Sequence, residues 1–264
     1  MGKEEIREKI VDLSCGVLAS VIDFVLFALL YGAEAAGAGY SSPKVARAAE
    51  RAFDQLERLA IDKETIKRAI WKATHKGLIR RQRKKDKTFW RITRAGKKRL
   101  SSLLPQYDEK RVWDGRIYLI TYDIPEKRAN DRDLLREFLK KIGCGMLQAS
   151  VWLTPYNPKE LLREFIEKRK LSGTVIISDI GKDGSVGEED LDDLIRRVYN
   201  LDQLNDRYED FIYQVKNRRL DKSQIAFQFL SILSGDPQLP FELLPYNWQG
   251  KKAYQLFKEK CNPS

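Results

Sequence analysis

The chain has 264 residues, 42% of them hydrophobic and 33% charged, with a formal net charge of +11. That length and balance suit two or three folded domains and exclude a disordered chain. A single histidine, His75, and three scattered cysteines, Cys15, Cys144 and Cys261, with no CxxC, exclude histidine triads and His-rich metal sites by count. They argue for reduced thiols in a cytoplasmic setting, and no motif calls for a cofactor.

In chain order, Leu13 to Tyr31 comes first, nearly all apolar with the single charge Asp23. Asp12, Gly16, Ser20 and Asp23 recur at i, i+4, i+8 and i+11, a narrow polar stripe on one helix face. A lipid-exposed span has no use for such a stripe, and the preceding stretch is mixed in charge. The segment reads as a buried helix and a membrane partner is not expected. After the Ala/Gly-rich stretch Gly32 to Gly39, Ser42 and Pro43 open a helix reaching about Ala60. Val45, Ala49, Ala52, Phe53, Leu56 and Leu59 fall there at helical spacing.

Asp62 caps a third helix, with Ile66, Ala69, Ile70 and Ala73 on its buried face. Glu64, Arg68, Trp71 and His75 lie opposite, flanked by Lys67 and Lys72. Gly77-Leu78-Ile79 leads into a basic hairpin and then RITRAGKKRL. Residues 62–100 hold 16 Lys/Arg against Asp62, Glu64 and Asp86, a local charge of +13, so the rest of the chain sums to −2. A basic excess confined to one block marks a surface that meets a polyanion. Recognition helix, strand, wing and strand in that order make a winged helix-turn-helix. Thr65, Lys67, Arg68, Trp71 and Lys72 are its candidate DNA-facing residues on the helix, although Trp71 equally fits the domain core and His75 reads as a surface residue. Arg83, Lys84, Lys85 and Lys87 in the wing suit phosphates.

Residues 101–115 form a polar connector. IYLITYD is then a short strand, ended by Asp123 and Pro125. Asn130 caps a helix with Leu134, Leu135, Phe138, Leu139 and Ile142 inside, stopped by Gly143. MLQASVWL is strand, Asn157, Pro158 and Glu160 begin a helix with Leu161, Leu162, Phe165 and Ile166 on its core face, and TVIISDI is strand again. This order predicts a ferredoxin-like α/β sandwich if the middle strand region is a hairpin. Asp123 stands at a strand end, where metal-binding carboxylates often sit. One carboxylate holds Mg²⁺ poorly, so a metal there needs a dimer axis to double Asp123, or Asp179 to join it. GKDGSVG, with Gly181, Gly184 and Gly187, lacks the Walker lysine. Glu188, Glu189 and Asp190 would repel a phosphate, so it reads as a linker.

One long acidic helix from Glu188 carries Leu191, Leu194, Ile195, Val198, Leu204, Tyr208, Phe211 and Ile212. A second starts near Asp221, and a Pro-punctuated loop leads to a last helix after Gly250. The expected fold class is α+β: a winged helix-turn-helix with an extra apolar helix over 1–104, a ferredoxin-like dimerisation domain over 112–182, and a helical domain over 188–264.

WDGRIYLITYDIPEK, GCGMLQASVWLTPY and GDPQLPFELLPYNWQGKKAYQLF (from Trp113, Gly143 and Gly235) resemble PaaX-type repressors, named for control of phenylacetic acid catabolism. The order of parts is the same, and DPQLPFELLPYNWQG is the most specific signal. VYNLDQLNDRYEDFI departs from the family's long-helix motif, with Tyr199 where Trp is expected. The middle domain also resembles the small CRISPR-associated nuclease of the spacer-acquisition complex, in which the position of Asp123 is the proposed metal ligand. The resemblance implies a homodimeric repressor, not an enzyme, on a double-stranded DNA operator, with a small-molecule effector of the aryl-CoA type. The rival is a metal-dependent nuclease or spacer-acquisition subunit. Basic charge on the winged domain, rather than around Asp123, favours the repressor.

Overall fold

The computed structural model describes residues 4–5, 7–8, 17–18, 20–32, 62–84, 87–181 and 190–261, with backbone alone over 83–84 and 87–89. The helix expected from Pro43 to Ala60, the wing-tip Lys85 and the linker over 182–187 lie outside the described residues. Among those described, the chain is mixed α and β with two small sheets. In order come α1 (Val21–Phe27), α2 (Lys63–His75), β1 (Ile79–Lys84), β2 (Lys87–Ile92) and α3 (Arg94–Ser101). Then follow β3 (Tyr118–Asp123), α4 (Ala129–Lys141), β4 (Gly145–Gln148), β5 (Val151–Thr154), α5 (Lys159–Arg169) and β6 (Thr174–Asp179). The chain ends with α6 (Leu191–Val198), α7 (Leu201–Asn217), α8 (Lys222–Ser234) and α9 (Gly250–Cys261). It divides into two compact units: Met1–Tyr107 with Asp206–Gly235 and Gln249–Ser264, and Asp108–Asn205 with Asp236–Trp248.

In the first unit, α1 is enclosed on nearly every side. Phe24, Val25, Leu26 and Phe27 are buried, and Phe27 stacks on Phe227 of α8 with centroids 3.9 Å apart. Ser20 caps the helix by accepting the Asp23 N–H at 3.2 Å. The buried Asp23 carboxylate lies 2.9 Å from the Arg99 guanidinium of α3. Of the polar stripe within the described residues, Asp23 thus meets a cation and Ser20 bonds to Asp23. No helix among the described residues is long and apolar enough to cross a membrane.

α2 ends at Gly77, whose φ of +65° is a left-handed turn that favours glycine. β1 and β2 pair antiparallel from Ile79↔Ile92 to Lys84↔Lys87. Thr93 then ties the hairpin base to both helices. Its hydroxyl donates to the Gly77 carbonyl at 2.6 Å and accepts the Gly96 N–H at 3.1 Å, capping α3. The contact is so close that a Cβ on Gly96 would meet the Leu78 carbonyl oxygen at 2.2 Å. Asp221 and Gln224 form a capping box on α8, which stacks Phe229 on Phe257 of α9 at 4.5 Å.

The second unit is built on a four-stranded antiparallel sheet in the order β4-β5-β3-β6. Alternation along LITYD separates its two faces. Ile120, Tyr122 and Trp152 face the core shared with Leu135 and Leu139 of α4 and Leu162 of α5. Leu153, with Leu119 against it, joins Ile117, Leu191 and Ile195 of α6, Leu239 and Leu243 in a second core. Three expectations are corrected here. Asn130 is not the cap of α4, which starts at Ala129 with Arg128 at the cap position, after a 3-10 turn over Glu126–Arg128. Leu161 is 52% exposed and leaves the core to Leu162. The long acidic helix is two helices, because Asn200 takes a φ of +50° between α6 and α7, a conformation Asn tolerates better than most residues. The first of them is capped by Asp190.

Tyr199 explains that break. Its hydroxyl donates to the carbonyls of Leu153 at 2.9 Å and Gly143 at 3.1 Å. Burial holds the phenol far above its usual range. Its ring lies so close to β4 that a Cβ on Gly145 would meet it at 3.0 Å.

Arg111 is the other fixed point. It is 2% exposed and donates from Nη1 to the Leu239 carbonyl and from Nε to the Asp108 carbonyl, both at 3.1 Å. Its Nη2 lies 3.5 Å from the Asp236 carboxylate, and its guanidinium covers the Phe241 ring at 4.8 Å. Arg111→Met leaves Asp236 buried without its cation. It should destabilise the protein by about 3–5 kcal/mol, read by urea unfolding. Tyr199→Phe, which removes the buried phenol's hydrogen bond, should cost about 1–3 kcal/mol in the same assay.

Candidate nucleic-acid interface

The exposed face of α2 is set by its cap and by the residues it buries. Asp62 accepts the Thr65 N–H at 2.8 Å and the Thr65 hydroxyl at 2.8 Å. Those bonds hold the Asp62 carboxyl below its usual range and commit the Thr65 hydroxyl proton to the cap. Ile66, Ala69 and Ala73 are buried, which turns Lys67, Arg68, Trp71, Lys72 and His75 outward, all exposed. Trp71 is 58% exposed, so it does not complete the core. It rests instead on His75, with ring centroids 3.8 Å apart, and the His75 Nδ1–H donates to the Trp71 carbonyl at 3.1 Å.

Not all of this cationic charge is equally available. Lys67 pairs with Glu64 at 2.8 Å, which holds its ammonium above the usual lysine range. The Arg68 Nε donates to the Glu64 carbonyl at 3.3 Å, leaving the far edge of its guanidinium for a ligand. The backbone of Arg83, Lys84 and Lys87 lies in β1 and β2. Sequence reading missed Arg80, Arg91, Arg94 and Lys97, which border one cavity of about 350 Å³. The antiparallel register, which sets Arg80 opposite Arg91, is the signal that could have found them.

In the second unit, the Asp123 carboxylate is exposed at the end of β3. Asp179 cannot join it: Asp123 pairs with Thr174 at one end of β6, while Asp179 pairs with Tyr118 at the other, about 16 Å away. Asp179 accepts the Gly181 N–H at 2.9 Å and pairs with Arg116. Both contacts hold its carboxyl below the usual range. Among the described residues no group of three or more His, Cys, Asp or Glu is placed to hold a metal ion. Burial pushes the Cys144 and Cys261 thiols up to about 12, well away from reactive thiolate.

Residues 110–191 match the PaaX protein central Cas2-like domain, and residues 199–262 match the PaaX-like protein C-terminal domain, together more than half of the chain. The chain belongs to the PaaX family. Its domains are those of a family of transcriptional regulators. The PaaX C-terminal match begins at Tyr199, so the tyrosine that departs from the expected Trp opens that domain. Among solved structures, the uncharacterised protein Rv0674 from Mycobacterium tuberculosis is similar in fold, with 19% identity and a TM-score of 0.51 over 77% of this chain and 82% of that one. No curated protein matches the sequence.

If Trp71 and Asp123 are both solvent-facing, removing either should leave the fold intact. Trp71→Ala and Asp123→Ala should each unfold within about 0.5 kcal/mol of the parent, measured by chemical denaturation.

Proposed function

We propose that this PaaX-family chain is a homodimeric, DNA-binding transcriptional repressor of the cytoplasm, without enzymatic activity. The observation that carries the reading is the outward face of α2, with Arg68, Trp71 and Lys72 exposed, followed directly by the antiparallel basic hairpin. That order supports reading α2 as the recognition helix and the hairpin as the wing of a winged helix-turn-helix. Arg68 and Lys72 reach base edges in the major groove, and Trp71 packs against thymine methyls or the sugar edge. Arg83, Lys84, Lys85 and Lys87 neutralise phosphates without reading sequence. Two such helices on one dimer meet half-sites about one helical turn, or a multiple of it, apart.

The order β4-β5-β3-β6, with α4 and α5 packed on one face, supports the ferredoxin-like reading, and the edge strands β4 and β6 suit self-pairing in a dimer. An acyl- or aryl-CoA-type effector regulates the repressor only if it binds one dimer geometry better than the other. Light scattering should find the full chain dimeric. The full chain is required, because removing residues 1–112 would strip Phe24 and Phe27 from Phe227.

A second reading, a metal-dependent nuclease, rests on the match to the Cas2-like domain and on Asp123 exposed at a strand end. With Asp179 out of reach, it requires two Asp123 carboxylates facing each other across the dimer axis. Mg²⁺- or Mn²⁺-dependent cleavage of DNA or RNA that vanishes in Asp123→Ala would promote it over the repressor.

The repressor makes a quantitative prediction. If a dimer neutralises about 6–10 phosphates, log K against log[salt] should slope at about −5 to −9 in gel-shift titrations. Arg68→Ala or Lys72→Ala should cost about 1–3 kcal/mol of discrimination between operator and random duplex. Substituting the four wing cations should instead weaken all duplexes alike and flatten the slope. A flat salt response in the parent would sink the reading.

A further inference from the structure

Between the base of the hairpin and the first turn of α3 lies a cavity of about 350 Å³ lined by Arg80, Arg91, Ile92, Thr93, Arg94 and Lys97. Of the described residues that line it, four are cations and none is acidic. The register places Arg80 directly across from Arg91, and like charges so placed repel. Arg94 and Lys97, three residues apart on α3, add two more charges on neighbouring positions of a single face. Arg80, Arg94 and Lys97 are exposed, and among the described residues none of the three is paired with a carboxylate. Thr93 is already committed, through its bonds to Gly77, Leu78 and Gly96. An anion held in the cavity would offset the repulsion among these cations.

We propose that this cavity is a phosphate-binding site. Guanidinium groups present forked N–H donors that match phosphate oxygens, and the Lys97 ammonium adds a point charge. A dianionic or polyanionic phosphate suits this cationic lining better than a single carboxylate does. The DNA backbone and a free phosphorylated small molecule share this chemistry. The first source rests on the DNA-binding reading, whereas phosphate binding itself does not.

The test uses the full chain and the Arg80→Gln/Arg94→Gln variant. Both side chains are exposed, so the variant should fold, and a thermal melt checks it. If the melt falls, Arg94→Gln/Lys97→Gln replaces it. Calorimetric titration with sodium pyrophosphate at fixed ionic strength should give saturable binding to the parent and at least about tenfold weaker binding to the variant, two charge-assisted contacts being lost. In parallel, random-sequence duplex is titrated across a salt series. A slope shallower by about 2 per protomer in the variant, with duplex displacing pyrophosphate, assigns the site to the DNA backbone. Weakened pyrophosphate binding with an unchanged duplex slope assigns it to a free phosphorylated ligand. Pyrophosphate binding and duplex slope both the same in parent and variant overturn the proposal. If the parent binds no duplex at all, the DNA-binding reading falls, and the pyrophosphate arm alone decides the cavity.

Discussion

Arg111 and Asp236 stand 125 positions apart in the sequence and meet inside the second unit, with their side chains 0% and 1% exposed. Either charge alone in that position would be strongly unfavourable, so the pair holds the connector before β3 and the segment after α8 in one arrangement. The neighbouring bonds extend the constraint. Asp236 accepts the Gln238 N–H at 2.6 Å, the Gln238 side chain accepts the Asp108 N–H at 2.7 Å, and Tyr156 at the end of β5 donates to the Gln238 carbonyl at 2.6 Å. Leu239 and Leu243 are thereby delivered to the second face of the sheet. The sequence DPQLPF is specific because almost every residue in it has a partner fixed by this pair.

Local signals were the most legible. The cap at Asp62, the buried face of α2, the helix start near Asp221 and the alternation in LITYD follow from periodicity and short-range chemistry, which one sequence contains, whereas MLQASVWL, read as strand, is two strands, β4 and β5. The errors at Asn130 and Leu161 were small shifts of a helix start and a helix face, and the larger ones came from chemistry between distant positions. Asn200, which tolerates left-handed backbone, is the only local sign that the long helix breaks there, and a weak one. The break follows from Tyr199 bonding to Gly143 and Leu153, residues 56 and 46 positions away. Asp179 looked like a strand-end companion for Asp123 until the antiparallel register put the two at opposite ends of β6.

The candidate site was legible in part for the same reason. Helical spacing is enough to group Arg68, Trp71 and Lys72, and the structure turns all three outward. Whether Trp71 faced core or solvent depended on what packs against α2, which spacing does not encode. Arg80 and Arg91 were hidden among many basic residues because strand pairing, not composition, makes them neighbours. Charge placement separates the two functional readings on physical grounds. Residues 62–100 carry a net +13 while the remainder of the chain sums to −2. The excess positive charge therefore lies in the first unit, and the sheet bearing Asp123 contributes little to it.

Amide hydrogen exchange of the full chain, with and without operator-length duplex at low salt, tests this division most directly. The account predicts slowed exchange confined to α2, β1, β2 and the start of α3, with β3 and β6 unchanged. Protection centred on the end of β3 around Asp123, with α2 and the hairpin unaffected, would contradict it.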